Sequence, residues 1–375
     1  GFSGGEADQL RRAMAKWKRN GELTRFRDKL ITGMRKRGYQ ESFAERIFEQ
    51  ICGFGEYGFP ESHSASFAVL AYVSAWLKRY YPTAFYAALL NSYPMGFYSP
   101  SQLVQDAKRH QVAVLPVDVN LSVYQHMVVY EQQTNSYALQ LGFTTVKGIQ
   151  EDKINALVAY RETLDGQKFT RLEDVISSGI SEQVLSALAS ANAFASISGN
   201  RYQTRWQLSD KNRRLPLWQL APGNVEEVQQ SFNFTPSVID EMIEDFAATG
   251  ISLTTHPVEI IIKQLVNRKC ILAKDLVNVS HQSVVSVVGL VTGRQSPGTA
   301  SGVTFVTLED HTGNINVVVW QATARAQKQT FLTAKILQVT GILEREGQVV
   351  HIIAGKLVDL SDKLAELSVK SRDFH

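Results

Sequence analysis

A chain of 375 residues with 44% hydrophobic and 20% charged side chains has ordinary globular composition and room for two or three domains with real cores, which excludes a disordered protein. Two cysteines, Cys52 and Cys270, lie far apart without metal-ligand spacing; this excludes a disulfide framework and a zinc site and fits a reducing cytoplasm. The net charge of +3 is unevenly spread: from Arg11 to Arg37 eleven Lys/Arg face only Glu22 and Asp28, a local +9 that leaves −6 elsewhere and attracts phosphate. Apolar residues Phe67–Leu77 stop at Lys78 and Arg79, well short of the roughly 20 a bilayer span requires. No stretch of these residues reads as a secretory signal.

In chain order, Leu10–Ala15, Leu23–Arg37 and Ser42–Cys52 predict amphipathic helices. A turn around Pro60 carries Ser62, His63 and Ser64. It leads into an apolar helix over Ser66–Tyr80, with a shorter helix at Ala84–Asn91. Apolar residues on nearly every face of the Ser66–Tyr80 helix predict packing on several sides. A serine at its start can cap the helix, and its free N–H groups can hold an anion; an ordinary capped core helix fits the same residues.

The segments GGEADQLRRAMAKWK at Gly4–Lys18 and FGEYGFPESHSASFAVLAYVSAWLKRYYPTAFYAALLNS at Phe54–Ser92 resemble the fingers of bacterial C-family DNA polymerases, and the similarity runs collinearly to SRDFH at Ser371–His375. The ending resembles the error-prone, damage-inducible branch (the ImuC type). The resemblance implies that Arg11, Arg12, Ser62 and His63 surround an incoming nucleotide's triphosphate. Since the chain starts at Gly1 inside such fingers, it is expected to be part of a longer protein.

Pro100–His110 predicts a helix and Val112–Asn120 a strand, with Tyr137–Leu141 closing a mixed unit. Two copies of one pattern follow, VKGIQEDKINALVAYRE at Val146–Glu162 and ISSGISEQVLSALASANAF at Ile176–Phe194. Each is a glycine turn before an amphipathic helix, suited to phosphate contact without base readout. They resemble tandem helix–hairpin–helix units, which makes Lys147, Gly148 and Gly179 candidate DNA contacts. Gln150 and Ser181 replace the usual second glycine, and a purely structural hairpin fits either copy nearly as well.

Asn200–Asn224 predicts a helix and an exposed connector, Ser237–Ala248 and Thr255–Leu265 further helices. Between Ser283 and Asp359 five alternating segments, with a helix at Gln321–Phe331 between the third and fourth and a tight turn at Asp310–Asn314, match an OB-fold barrel. Its candidate nucleic-acid contacts are Arg294 and Arg345, placed ahead of Phe305 and Trp320, which the barrel core could equally claim. The fold class is therefore multidomain α+β: end of the fingers over 1–93, a mixed extension over 94–140, the tandem helix–hairpin–helix region and connector over 141–222, a helical linker over 223–282, the OB fold over 283–360 and a tail over 361–375.

Templated nucleotidyl transfer needs carboxylates holding two metal ions, and no Asp-x-Asp pair is present; Glu344 and Glu346 flank a turn. The resemblance places the Mg2+-binding palm aspartates outside this chain, so the chain alone should be inactive. It implies primer–template DNA and deoxynucleoside triphosphates as ligands. The nearest sliding-clamp peptide candidate, QQSFNF at Gln229–Phe234, is degenerate, which predicts recruitment to the clamp through a Y-family-like accessory protein. The alternatives are a portion of the replicative alpha subunit and a non-catalytic DNA-binding protein of helix–hairpin–helix and OB units.

Overall fold

The computed structural model describes residues 2–15, 24–57, 61–96, 98–132, 134–211, 236–265, 270–296, 302–347 and 349–364, with backbone alone at 11–15, 24–25, 52–57, 61–63, 210–211 and 364. These residues divide into two compact units, Gly1–Tyr80 and Tyr81–His375. The domain boundary expected after Pro222 and the peptide at 229–234 both lie outside the described residues.

The first unit is helical: α1 (Gly4–Ala15), α2 (Thr24–Arg35), α3 (Glu41–Tyr57) and α4 (Glu61–Tyr80). Ser3 caps α1 in exchange with Glu6, its hydroxyl accepting from the Glu6 N–H while Glu6 accepts from the Ser3 N–H and O–H. Ile31, Ala44 and Phe48 form the buried contact of α2 with α3, and Arg27 pairs with Glu45 at 2.7 Å. Contrary to the expectation of a helix packed on several sides, every residue of α4 from Ser64 to Tyr80 except Lys78 is exposed. The pattern correctly gave a helix; an apolar circumference states what a helix requires around it, and the described residues of this unit do not supply that cover.

The second unit opens with α5 (Pro82–Asn91) and α6 (Pro100–Arg109) against a three-stranded sheet, order β1 (Ala113–Leu115), β3 (Ser136–Gln140), β2 (Met127–Glu131). The strand expected over Val112–Asn120 stops at Leu115, where Pro116 can donate no ladder bond. The residue pattern predicts no strand at β2. Its outward residues Val128 and Tyr130 are exposed, so it lacks a strongly apolar face.

Then come α7 (Glu151–Thr163), α8 (Leu172–Ser177), α9 (Glu182–Ser190), α10 (Ala195–Ser198) and α11 (Arg201–Lys211). Phe143, Ile154, Phe169, Val175, Leu188 and Phe194 join them and the sheet in one core. Buried Arg161 of α7 donates to the Val119 and Ser122 carbonyls at 2.8 and 2.9 Å. Helix α12 (Val238–Ala248) begins in a Ser237–Asp240 capping box, and α13 (Pro257–Gln264) has Pro257 at its first position.

The last five strands, β4 (Val284–Gln295), β5 (Val303–Glu309), β6 (Asn314–Trp320), β7 (Ile336–Glu346) and β8 (Val349–Asp359), close into a barrel of order β4-β5-β6-β8-β7. Two short helices, α14 (Gln321–Ala326) and α15 (Lys328–Thr333), replace the single one expected between the third and fourth strands. Val287, Val306, Leu308, Val317, Val339 and Ile352 fill the interior. Following paired residues around the outside from Val284 through Ile342, Ile353, Val318 and Phe305 returns to the first strand at Gln295, the stagger that closure of a tilted sheet demands. Part of that outer surface, Val288 and Ile336, is roofed by Met242 of α12 and Val258 and Ile261 of α13.

Candidate nucleotide and nucleic-acid interface

Arg11 and Arg12 lie on α1, and Ser62 and His63 in the first turn of α4, inside the helix instead of in a preceding turn. That position puts Ser62 and His63 beside the free N–H groups and the positive dipole end. The contacts of these four side chains lie outside the described residues.

In the helix–hairpin–helix region, Gly148 has φ +79° and Gly179 φ +76°, and a Cβ at either would meet nothing within 4 Å. The left-handed backbone, not crowding, calls for glycine. Each glycine is exposed and shortly precedes a helix, α7 or α9. Both helices carry carboxylates in the first turn, Glu151 and Asp152 in α7 and Glu182 in α9, which compete with phosphate for the same dipole. The Ser181 hydroxyl already accepts from the Val184 N–H. Lys147 is committed elsewhere: its Nζ donates to the Phe246 and Ala247 carbonyls, both at 2.8 Å, and its N–H to the Ala248 carbonyl at 3.0 Å, capping the C-terminal end of α12.

On the barrel the two arginines and the two aromatics have different fates. Arg294 donates from Nε to the Phe331 carbonyl at 2.9 Å and from Nη2 to that of Ala334 at 2.6 Å, holding the end of α15. Arg345 donates from Nη2 to the carbonyls of Leu276, Val277 and Val279. Both guanidinium groups thus satisfy backbone acceptors. Phe305 and Trp320 point outward on β5 and β6, 43% and 51% exposed, on the face where Val303 pairs with Trp320 and Phe305 with Val318. The alternation placed them on one face without saying which face was inside; burial of Val306, Leu308 and Val317 decides it.

Sequence reasoning missed Arg201 and Arg205. Arg201, 2% exposed at its side chain, pairs from α11 with Glu241 at 2.8 Å and with Asp245, while Arg205 makes a two-pronged pair with Glu244 at 2.7 and 3.2 Å. Their one-turn spacing, matched by acids at 241, 244 and 245 on α12, was the available signal.

Among the described residues no three His, Cys, Asp or Glu side chains converge to hold a metal ion, and no helix is long and apolar enough to cross a membrane.

Three family models match along the chain: the bacterial DNA polymerase III alpha subunit finger domain over 1–38, a helix-hairpin-helix motif over 111–204 and an OB-fold nucleic acid binding domain over 285–360. The three matches follow one another along the chain without overlap. Over all its residues the chain is similar to proteins named error-prone DNA polymerase, 57% identical over 375 residues to that of Vibrio parahaemolyticus, 50% over 377 to that of Idiomarina loihiensis and 46% over 376 to that of Alkalilimnicola ehrlichii. It covers 36% of the length of each.

Proposed function

We propose that this chain supplies the nucleotide-phosphate contacts and DNA-binding modules of an error-prone DNA-directed DNA polymerase that extends primers across damaged template in damage tolerance. The observation that carries this reading is similarity over the whole of this chain to a 36% portion of proteins named error-prone DNA polymerase. Arg11 and Arg12 would neutralise the triphosphate, with Ser62 and His63 adding hydrogen bonds at a helix N-terminus. Phe305 and Trp320 would stack bases of single-stranded template, and the turns at Gly148 and Gly179 would face duplex backbone. Two Mg2+ ions, held outside this chain, would stabilise the attacking and leaving oxygens. Clamp contact would pass through a Y-family-like accessory protein, in the cytoplasm.

Primer extension by the whole enzyme tests this reading. Arg11→Ala with Arg12→Ala should abolish incorporation while primer–template binding persists, and unchanged incorporation would remove both residues from the site. The 375-residue chain alone, with Mg2+, primer–template and nucleotides, should extend nothing.

A further inference from the structure

The stretch from Val238 to Leu253 carries Asp240, Glu241, Glu244 and Asp245 and no lysine or arginine. Four cations from elements earlier in the chain grip it. Arg201 and Arg205 of α11 hold its carboxylates, Lys147 holds the carbonyls at its helical end, and Lys108 of α6 donates to the Leu253 carbonyl at 2.6 Å. Acidic side chains and a helix C-terminus together present what a nucleic-acid backbone presents, a row of negative oxygens.

The two sides of α12 differ in kind. Towards the barrel it is apolar, Met242 packing with Val258, Ile261, Val288 and Ile336, and Ile239, Ile243 and Phe246 around them. Towards α11 and the first hairpin the bonds of the helix named above are ionic or charge-assisted, and apolar packing joins them only beyond its end, where Ile251 is buried in the helix–hairpin–helix core with Leu253 against it. Salt and competing anions weaken the partly exposed Arg205–Glu244 pair more than the buried Arg201 pairs, and leave the apolar contacts intact. Arg201 is also incompletely served, its buried Nε having no hydrogen-bond partner. On α11 the arginines alternate with Tyr202 and Trp206, Arg205 lying over the Tyr202 ring at 5.8 Å, the mixture of cation and aromatic that suits a nucleic-acid strand.

We propose that Lys147, Arg201 and Arg205 form a DNA-backbone-binding surface which α12 covers as an internal mimic of the polyanion, and that DNA engages it by displacing α12 together with the barrel to which it is fixed. This rests on the DNA-binding reading above. It assigns α12 the role of a gate.

The test uses the 375-residue chain and a fluorescent primer–template duplex, with anisotropy followed across a salt series. Glu241→Gln, Glu244→Gln and Asp245→Asn combined remove the mimic's charge; Glu162→Gln, Asp275→Asn and Glu346→Gln, exposed carboxylates elsewhere, form the charge-matched control. The gate requires affinity at least five-fold above the control and a steeper salt dependence, by about 0.9 in log–log slope for each phosphate gained. Equal affinity and slope in the two variants would overturn the gate alone, and no binding by any form, wild type included, would overturn the DNA reading with it. Hydrogen exchange on the unmodified chain covers the case of a variant that does not fold. Amides at the end of α12, Thr249 and Gly250, should exchange faster when duplex is added, and unchanged or slower exchange there would overturn the gate.

Discussion

Asn91 and His126 exchange two hydrogen bonds: the Asn91 amide donates to the His126 carbonyl at 2.9 Å, and the His126 N–H donates to the Asn91 carbonyl oxygen at 2.8 Å. One side chain thus mimics a strand neighbour and fastens α5 to the loop before β2. Asn120 does the same for Phe169, at 3.0 and 2.8 Å. Asn91→Ala strands a partly buried donor and acceptor together and should cost about 2 kcal/mol in urea unfolding, with Asn91→Asp at least as damaging because a carboxylate cannot donate.

His126 and His256 are both buried and held neutral, and burial brings each down to about 4 from the ordinary 6.5. The His126 ring accepts from the Gly142 N–H, and the His256 ring from that of Val258. Because the unfolded chain takes up these protons first, their contribution is complete above pH 6.5 and is lost as pH falls from 6.5 towards 4. Tm should fall through that window as stability drops by up to about 1.4 kcal/mol per pH unit for each histidine. His126→Gln and His256→Asn should each flatten the profile there and leave it unchanged above pH 7.

Gly341 sits at the β7 bulge, where a Cβ would lie 2.1 Å from the Ile353 carbonyl oxygen; at Gly355 the nearest atom, the Thr340 carbonyl oxygen, is 3.5 Å away. Gly341→Ala should therefore cost about 3 kcal/mol or more and distort the β7–β8 ladder, visible in amide NMR shifts at Ile352 and Ile353. Gly355→Ala should be tolerated within about 0.5 kcal/mol.

Arg345→Ala leaves three carbonyls without their donor and should lower stability by about 2 kcal/mol. Since its guanidinium is already engaged, affinity for an oligo-dT strand should keep its salt dependence. A slope reduced by about 0.7 would instead show a phosphate contact. Phe305→Ala and Trp320→Ala should each weaken the same strand by about 1–3 kcal/mol with no change in slope, the signature of lost stacking.

Much of this architecture is legible in the residues because it is local. Gly148 and Gly179 announce left-handed turns, Ser237 and Pro257 mark helix starts, and the period-two alternation from Val284 onward gives the barrel its strands. Partnership over long sequence separation is not written locally. Lys147 and Phe246 lie about a hundred residues apart, as the capping bond between them records, and a lysine beside a hairpin glycine looks the same whether it meets a phosphate or a carbonyl. Arg294 and Arg345 show the same ambiguity. Composition identified them as cations, and only the fold reveals that backbone oxygens already occupy them.

Helix α4 sets the handling of the chain in solution. Leu70, Tyr72, Val73, Leu77 and Tyr80 are each more than a third exposed along a helix of 20 residues, a surface well beyond the scattered apolar residues that monomers tolerate. In water such a rod behaves as a colloidal sticker: association should grow with concentration and be stronger in sulfate, which raises the cost of hydrating apolar surface. Dilute, low-kosmotrope buffers are therefore the conditions in which the binding behaviour of this chain belongs to its single molecules and not to their clusters.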